Sequence, residues 1–181
     1  MAHKLRPMVS GNDHIQGLPG APLELVEYGD YQCPQCGRAY PIIKRIQEEM
    51  GKDMKFVYRN FPLSETHPHA FPAAVAAEAA SRQGAFWAMH DIIFENQELL
   101  EGSLKDMPFV SFAQQLGLDI ETFENDLEDP KLAEKVDDDF TSGVRSGVNG
   151  TPGFFINGER YDGSWEESTL LAQLQKILTK G

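Results

Sequence analysis

The sequence predicts an α/β protein, and three observations support this class. Two β-prone segments enclose an amphipathic helical segment in the N-terminal third of the chain. Residues 64–147 then show only helical patterns. The rest returns to strand patterns and ends in one more amphipathic helix. Because the order is β-α-β, then helices, then β-β-α, we expect one α/β domain that a helical block interrupts.

The first β-α-β unit has two strands and a helix between them. Residues 23–28 form a short apolar, β-prone run, and residues 54–61 form a second one. Between them, apolar side chains recur with a period of 3.6 residues over 39–50, and the pattern stops at Gly51. Adjacent parallel strands joined by a helix form a right-handed crossover, so we expect this arrangement here.

The later segments follow from the same reasoning. Five helices are predicted in the helical block, at 69–82, 85–95, 109–116, 120–127 and 130–140. Residues 153–156 then predict a buried strand. Asn157-Gly158 predicts a hairpin, because a type I′ turn needs positive φ at both of its central positions. A short return strand follows, and Ser164 with Glu167 matches a capping box before the last helix.

These patterns set the expected domain organisation. Residues 1–12 lack periodicity, so we expect a flexible N-terminal arm. Residues 13–63 and 148–181 together form the discontinuous α/β domain. Residues 64–147 form the inserted helical domain.

The composition is that of a globular, acidic chain. Hydrophobic residues make up 41% of the 181 positions and charged residues 24%, which argues against a disordered protein. The formal charge of −12 predicts that neither nucleic acid nor an anionic membrane is a partner. Residues 119–139 contain ten acids and two lysines, so this segment supplies −8 of that charge. It is either a solvated helical face or a docking surface for a basic partner.

The chain carries no sequence pattern of membrane insertion or export. No apolar run approaches the ~20 residues that a membrane-spanning helix needs. Residues 1–20 lack the apolar core of a secretory signal. We therefore expect a cytoplasmic protein as written, or a periplasmic or other extracytoplasmic one if a signal peptide was removed.

The two cysteines form the motif Cys33-Pro34-Gln35-Cys36 at a strand-to-helix junction. Two cysteines rule out a disulfide-dense scaffold and a four-cysteine zinc site. Pro34 suits a first helical turn, because a backbone N–H at that position would have no acceptor within the helix and proline has no N–H to leave unpaired. A helix N-terminus stabilises a thiolate, so we predict that Cys33 attacks disulfides and that Cys36, one turn further on, resolves the mixed disulfide.

Two alternatives to redox chemistry stay open for this motif. One is a partial metal site, for which His67 and His69 are the nearby candidate ligands. Their spacing in a proline-containing loop is not that of a helical metal pair, so we expect no metal. The other alternative is a pair of inert thiols. In the redox interpretation the Cys33–Cys36 disulfide is itself the reactive group, and no further cofactor is expected.

Two further features favour redox chemistry. Glu27 lies in the predicted strand that leads into the motif, on the face of Leu23 and Leu25, so we expect it to be buried. A buried carboxylate is costly unless it is used or paired, which favours a proton acceptor for Cys36 over an edge-exposed glutamate. Gly150-Thr151-Pro152 directly precedes a strand. A cis bond before this proline exposes the backbone of Thr151 for strand addition by a substrate peptide, whereas a trans proline is an ordinary loop.

From about Asp13 to its end, the chain resembles DsbA-like thiol–disulfide oxidoreductases of the thioredoxin superfamily. The matching stretches are LVEYGDYQCPQC, FVYRNFPL, HPHA, FWAMHDIIFENQ, SGVRSGVNGTPGFFING and the final helix. The resemblance implies a thioredoxin-like fold with the helical insertion beside the active site. It implies the nucleophilic role of Cys33, the resolving role of Cys36, the buried acid Glu27 and the cis-proline loop at Thr151-Pro152.

The resemblance also implies a substrate groove shaped by the insertion and by the cis-proline loop. Pro34, Gln35, Gly150, Thr151 and Pro152 are then expected to contact substrate. Four aromatic residues are groove candidates, although a core role is the simpler interpretation: Phe61, Phe71, Trp87 and Phe154.

The chain departs from the strongly oxidising members of this family in two ways. Those members carry histidine between the cysteines, and this chain has the neutral Gln35. We therefore expect a reduction potential between about −120 and about −270 mV, the values of strongly oxidising and thioredoxin-like proteins. The export signal of the periplasmic oxidants is also missing from the sequence as written. A reducing glutathione pool then makes net reduction, disulfide repair or stress defence plausible.

The leading hypothesis is an enzyme that exchanges dithiols and disulfides with protein or peptide substrates. A recycling protein or glutathione restores its Cys33–Cys36 pair. One alternative is a glutathione-dependent transferase or isomerase of the related branch, whose members typically have serine at the position of Cys33. The other is a peptide-binding, chaperone-like module that uses the cysteines little.

Overall fold

The computed structural model describes residues 3–181 as a mixed α/β structure, in agreement with the predicted class. The strands are β1 (His14–Gln16), β2 (Leu23–Gly29), β3 (Met54–Asn60), β4 (Gly153–Ile156) and β5 (Glu159–Tyr161). The α-helices are α1 (Pro34–Met50), α2 (Ala70–Ser81), α3 (Phe86–Glu95), α4 (Phe109–Gln115), α5 (Ile120–Leu127), α6 (Pro130–Arg145) and α7 (Glu167–Lys180). Short 3₁₀ turns occupy Gly51–Asp53, Gln97–Leu100 and Leu104–Asp106.

The chain forms two compact units. The first contains the segment up to Gly29 together with Arg38–Arg59 and Thr141–Gly181. The second contains Asp30–Gly37 and Asn60–Phe140. The second unit is mostly helical and is called the helical unit. The division differs from the expected insertion at 64–147, because the cysteine motif belongs to the helical unit. Hydrogen bonds between residues 30–37 and residues 60–140 account for this difference.

The first unit is built on a five-stranded sheet in the order β1-β3-β2-β4-β5. The predicted neighbours β2 and β3 are adjacent, and β2 is central. Antiparallel pairing joins β2 to β4, with Val26 opposite Phe155, and β4 to β5. Helix α7 packs on β2 and buries Leu170 and Leu174 completely. Leu25 and Val26 are likewise inaccessible, so the core of this unit lies around its central strand.

The N-terminal segment differs from the expected flexible arm at 1–12, of which residues 1 and 2 lie outside the described part of the chain. His3 accepts a backbone hydrogen bond from Arg160, and Leu5 donates one to Gly158. The Leu5 side chain is buried as well, which fixes this part of the segment against the final hairpin.

Sequence patterns also missed β1, because this strand has only three residues and no apolar alternation. It pairs antiparallel with β3.

The C-terminal hairpin confirms the turn prediction. Asn157 has a φ of 49° and Gly158 a φ of 82°, the two positive values that a type I′ turn requires. The capping-box prediction is wrong. Helix α7 begins at Glu167 without a side-chain cap, and Ser164 Oγ instead accepts a hydrogen bond from the Glu166 backbone.

Much of the acidic segment 119–139 has structural partners within the helical unit. Asp119 caps α5 by accepting a hydrogen bond from the Thr122 backbone N–H, which lowers the pKa of Asp119. Asp126 and Asp129 both accept hydrogen bonds from Arg82. These acids stabilise helix ends and helix contacts, which accounts for part of the local charge without a partner. In residues 3–181 no helix is long and apolar enough to cross a membrane.

Candidate active site

The two cysteines lie at the start of the longest helix. Pro34 is the first residue of α1, so Cys33 immediately precedes the helix and Cys36 lies within its first turn. Both are thiols rather than a disulfide. Cys33 is 6% exposed and Cys36 is completely buried, while Pro34 and Gln35 are exposed. The attacking role of Cys33 and the resolving role of Cys36 stay predictions.

Asp30 fixes the loop that carries Cys33. One carboxylate oxygen accepts hydrogen bonds from the backbone N–H groups of Gln32, at 2.8 Å, and Cys33, at 3.0 Å. The other accepts from the backbone of Leu63, at 2.9 Å, and lies 2.8 Å from Nδ1 of His67. The Asp30 side chain is fully buried. Four nitrogen atoms from four residues therefore surround one carboxylate.

Two glutamines hold the motif loop from the helical side. Gln32 accepts a hydrogen bond from the His69 backbone and donates one to the Leu100 carbonyl. Gln97 donates from Nε2 to the carbonyls of Tyr31, at 3.0 Å, and Cys33, at 2.8 Å. The backbone of the motif is thus fixed on both sides of Cys33, which pre-organises the nucleophile.

Gly37 makes the contact with Gln97 possible. A Cβ atom at position 37 would overlap the Gln97 Oε1 atom and lie 2.9 Å from its Cδ. Glycine is otherwise unfavourable inside a helix by about 1 kcal/mol relative to alanine. The close approach of Gln97 explains why a glycine occupies position 37 of α1.

The histidines considered as metal ligands have other partners. His67 contacts Asp30, as described, and His69 Nε2 lies 2.7 Å from the carbonyl oxygen of Gly102. Among residues 3–181, no three His, Cys, Asp or Glu side chains are grouped as a metal site would need.

A cavity of about 500 Å³ opens beside the motif within the helical unit. Its walls comprise motif-loop residues and residues of the 67–101 region: Gln32, Pro34, Gly37, His67, Phe94, Gln97, Glu98 and Glu101. Most of these side chains are polar. Pro34 thus lines a recess large enough for a substrate side chain.

Glu27 lies on the central strand of the first unit. It is 3% exposed and stands opposite Phe154 in the antiparallel β2–β4 pair. Its predicted burial is confirmed, and the edge-exposed alternative is wrong because β2 is central rather than at an edge. Its role as a proton acceptor for Cys36 stays a prediction.

The Gly150-Thr151-Pro152 segment belongs to the same unit as Glu27. The Thr151–Pro152 peptide bond is cis, and all three residues are partly exposed just before β4. Arg160 on β5 donates hydrogen bonds to the Gly147 carbonyl and to the side chain of Asn149, which ties down the approach to this loop. The contact of this loop with substrate stays a prediction.

Two of the four aromatic groove candidates have core positions. Phe61 is buried and stacks on Phe140 with ring centroids 4.4 Å apart, and Phe154 is buried in β4. Trp87 is half-buried against Phe86 and His90. Phe71 is half-buried as well.

A cluster of buried polar side chains connects Asn60 to helices α2 and α6. Asn60 Nδ2 donates to the carboxylates of Glu78, at 3.0 Å, and Asp139, at 2.9 Å. Lys135 donates to Asp139 at 2.6 Å. Burial nevertheless raises the pKa of Asp139, because desolvation outweighs Lys135 and the Asn60 hydrogen bonds.

Sequence patterns missed Asp30, His67 and Gln97 as partners of the motif. A signal was present for Asp30, since an aspartate whose side chain accepts from the next two or three backbone N–H groups is a common helix-start and turn residue. His67 and Gln97 stand tens of residues from Cys33, and no local pattern links them to it. Their role follows only from the folded structure.

Comparison with known proteins agrees with this geometry. The thioredoxin family model matches residues 9–176. The chain belongs to the thioredoxin family. Among curated proteins, this thioredoxin-family chain is 43% identical over 173 residues to the Na⁺/H⁺ antiporter NhaA 1 of Mycobacterium sp. (strain KMS). It is 39% identical over 166 residues to the NhaA 1 antiporter of Salinispora arenicola. These matches cover 94% and 92% of the chain but only 28% and 25% of the antiporters.

Solved structures confirm the DsbA-like form of this thioredoxin fold. A thioredoxin-like oxidoreductase from Silicibacter pomeroyi is 27% identical, with a TM-score of 0.78 and coverage of 94% of this chain and 92% of that one. BdbD from Bacillus subtilis is 24% identical, with a TM-score of 0.85 and 99% coverage of both chains. Wolbachia pipientis α-DsbA1 is 22% identical, with a TM-score of 0.83 and coverage of 96% and 94%.

Proposed function

We propose that this chain is a thiol–disulfide oxidoreductase that exchanges its Cys33–Cys36 pair with protein or peptide substrates. One observation carries the proposal: Cys33 lies at the N-terminus of α1 with its backbone held by Asp30 and Gln97, and Cys36 lies buried one turn further on. The positive end of the helix favours the Cys33 thiolate, which is the form that attacks a disulfide.

In the reducing direction, exchange proceeds in two displacements. The Cys33 thiolate attacks one sulfur of the substrate disulfide, a Cys33–substrate bond forms, and the first substrate thiolate leaves and takes up a proton. Deprotonated Cys36 then attacks Sγ of Cys33 and expels the second substrate thiolate. Two electrons pass to the substrate, and the Cys33–Cys36 disulfide remains. Oxidation of a dithiol substrate reverses these steps.

Glu27 and the loop before β4 complete the proposal. The buried carboxylate of Glu27 accepts the proton that Cys36 loses, and the backbone of Thr151 pairs with an extended substrate segment. Pro34, Gln35, Gly150 and Pro152 contact that segment. A thiol pool, either glutathione or a recycling protein, restores the dithiol after each reducing cycle.

The antiporter relatives say nothing further about this activity. The chain corresponds to about a quarter of their length, and their name describes ion exchange by the whole protein. The proposal therefore rests on the cysteine geometry of this chain.

Cysteine variants test the proposal. Cys33→Ser is expected to reduce insulin no faster than the uncatalysed reaction. Cys36→Ser is expected to accumulate mixed disulfides through Cys33, visible as reductant-sensitive adducts on gels. Each variant serves as the control for the other, because the chain has only two cysteines. Full insulin reduction by Cys33→Ser would overturn the assignment.

A glutamate pair on one strand tests the proton acceptor. Glu27→Gln is expected to slow release of the mixed disulfide by about a hundredfold, the lower range of general-base effects. Glu24 is the matched control, because it lies on the same strand but its carboxylate forms a partly buried ion pair with Lys55. An equal effect of Glu24→Gln, or no effect of Glu27→Gln, would remove Glu27 from the mechanism.

A further inference from the structure

His67 brings a titratable group into contact with the loop that carries Cys33. Its Nδ1 lies 2.8 Å from one oxygen of the Asp30 carboxylate. The other oxygen of the same carboxylate lies 3.0 Å from the backbone nitrogen of Cys33. One buried carboxylate therefore bridges the imidazole and the nucleophile's own backbone, although 34 positions separate His67 from Cys33.

We propose that Asp30 and His67 form a proton-dependent charge pair that controls the reactivity of Cys33. Asp30 acts as a positioning residue, and the protonation state of His67 sets the net charge beside the nucleophile. The inference rests on the proposed function, because it takes Cys33 as the attacking thiol.

Charge balance links the Asp30–His67 pair to the Cys33 thiol. When His67 is neutral, the buried carboxylate of Asp30 leaves one negative charge close to Cys33, which opposes formation of the thiolate. When His67 is protonated, the pair is neutral and that opposition is removed. Imidazole is the side chain that most readily changes charge near neutral pH. Acidification thus lowers the thiolate population less than simple titration of Cys33 would.

The burial of the pair makes this effect strong. The Asp30 side chain is fully buried and that of His67 is 17% exposed, so water screens their interaction weakly. Glu98 and Glu101 also line the cavity that His67 faces, but both are exposed to solvent. Asp30 is therefore the acid whose charge His67 balances.

No charged side chain lies between the two cysteines. Gln35 carries no charge and stands exposed at the start of α1. His67 reaches the motif from a separate segment and acts through Asp30 instead. The positive charge on His67 is reversible, because it is present only when the imidazole is protonated.

The test compares two histidines of the same loop. All proteins carry Cys36→Ala, so that Cys33 is the sole thiol. His67→Asn places an uncharged amide where Nδ1 contacts Asp30, which retains a hydrogen bond and removes the titration. His69→Gln is the matched control, because the His69 ring contacts the Gly102 carbonyl through Nε2 and the amide can replace that atom. The readouts are the rate of alkylation by iodoacetamide and thiolate absorbance, each measured from pH 5 to pH 9.

The expected result is a pH-dependent difference confined to one variant. At pH 6, His67→Asn should react about three- to tenfold more slowly than its parent, as expected for a shift of up to about one unit in the thiol pKa. At pH 8.5 the two rates should agree, because the charge of an imidazole is smallest at the alkaline end of this range. His69→Gln should follow the parent throughout.

Three results would overturn the proposal. The first is an unchanged pH profile in His67→Asn, and the second is an equal change in His69→Gln. The third is a uniform slowing of His67→Asn at every pH, which would indicate a structural role alone. Alkylation needs no turnover, so this experiment remains decisive even if the wild-type chain fails to reduce insulin. That failure would instead overturn the proposed function.

Discussion

The carboxylate of Asp13 accepts two hydrogen bonds from the guanidinium of Arg59, at 2.8 and 3.0 Å, and both side chains are almost completely buried. Arg59 also donates to the hydroxyl of Tyr28 at 2.8 Å, and this hydroxyl lies 2.8 Å from Ser142 Oγ. Burial by itself lowers the pKa of Arg59, but the hydrogen bonds and charges of Asp13 and Tyr28 outweigh it and raise the pKa. The guanidinium therefore stays charged within the first unit.

The first prediction concerns this buried pair. Asp13→Asn should lower the free energy of unfolding by about 3–5 kcal/mol, because it leaves the Arg59 charge buried without its counterion. The exposed pair Arg45–Glu167 is the control. Its separation of 2.6 Å is shorter, yet Glu167→Gln should cost at most about 1 kcal/mol, because water already solvates both groups. Urea unfolding measures both values, and equal losses would contradict the assignment.

The second prediction concerns Gly37 and Gln97. Gly37→Ala should cost about 1–2 kcal/mol, because the new methyl displaces the Gln97 amide from two backbone carbonyls. In a protein that already carries Gln97→Ala, Gly37→Ala should leave the free energy of unfolding unchanged or raise it by up to about 1 kcal/mol, because alanine favours the helix. Additive effects in this double-mutant cycle would argue against the clash. Gly20→Ala, where nothing lies near the added atom, is the control.

The third prediction concerns the pH dependence of stability. The pKa of Asp139 is raised in the folded state by burial, so the folded protein binds this proton more tightly than the unfolded chain does. Its contribution to stability is therefore fully present below the unfolded pKa and is lost as pH rises through the folded one. Asp139→Asn should flatten that decline in unfolding free energy, measured by denaturant titration across the acidic range. Asp138→Asn, which removes an exposed neighbouring acid, should leave the slope unchanged.

The fourth prediction is the reduction potential of the Cys33–Cys36 pair. Equilibration against glutathione buffers should give a value between about −120 and about −270 mV. Gln35→His should make it more positive by at least about 30 mV, because a cation next to Cys33 stabilises the reduced form. A wild-type value outside this interval, or a negative shift in the variant, would contradict the prediction. The cytoplasmic location stays a prediction, and the same potential shows whether the pair would rest as a dithiol in a glutathione pool.

The local features of this protein could be predicted from the sequence because local interactions determine them. Residue patterns identified the strands Leu23–Gly29 and Met54–Asn60 to within one residue, and apolar periodicity over 39–50 identified the end of the helix Pro34–Met50 between them. The Asn157-Gly158 turn followed from backbone conformation alone. The position of Cys33-Pro34-Gln35-Cys36 at a helix start could likewise be predicted from the order of the strands and helices alone. The arm prediction failed because backbone hydrogen bonds to the final hairpin fix His3 and Leu5. The capping box failed because Ser164 accepts a hydrogen bond from the nearby Glu166 backbone instead.

The surroundings of Cys33 were decided only by the tertiary structure. Asp30, His67 and Gln97 come from three separate segments, and the hydrogen bonds among their side chains and the motif backbone have no periodic signature in sequence. The sequence by itself indicated which sulfur atoms we propose to react and that a helix begins beside them. Folding brought Asp30 to the Cys33 backbone and His67 to Asp30, because charged groups interact strongly only when the chain brings them within a few ångströms.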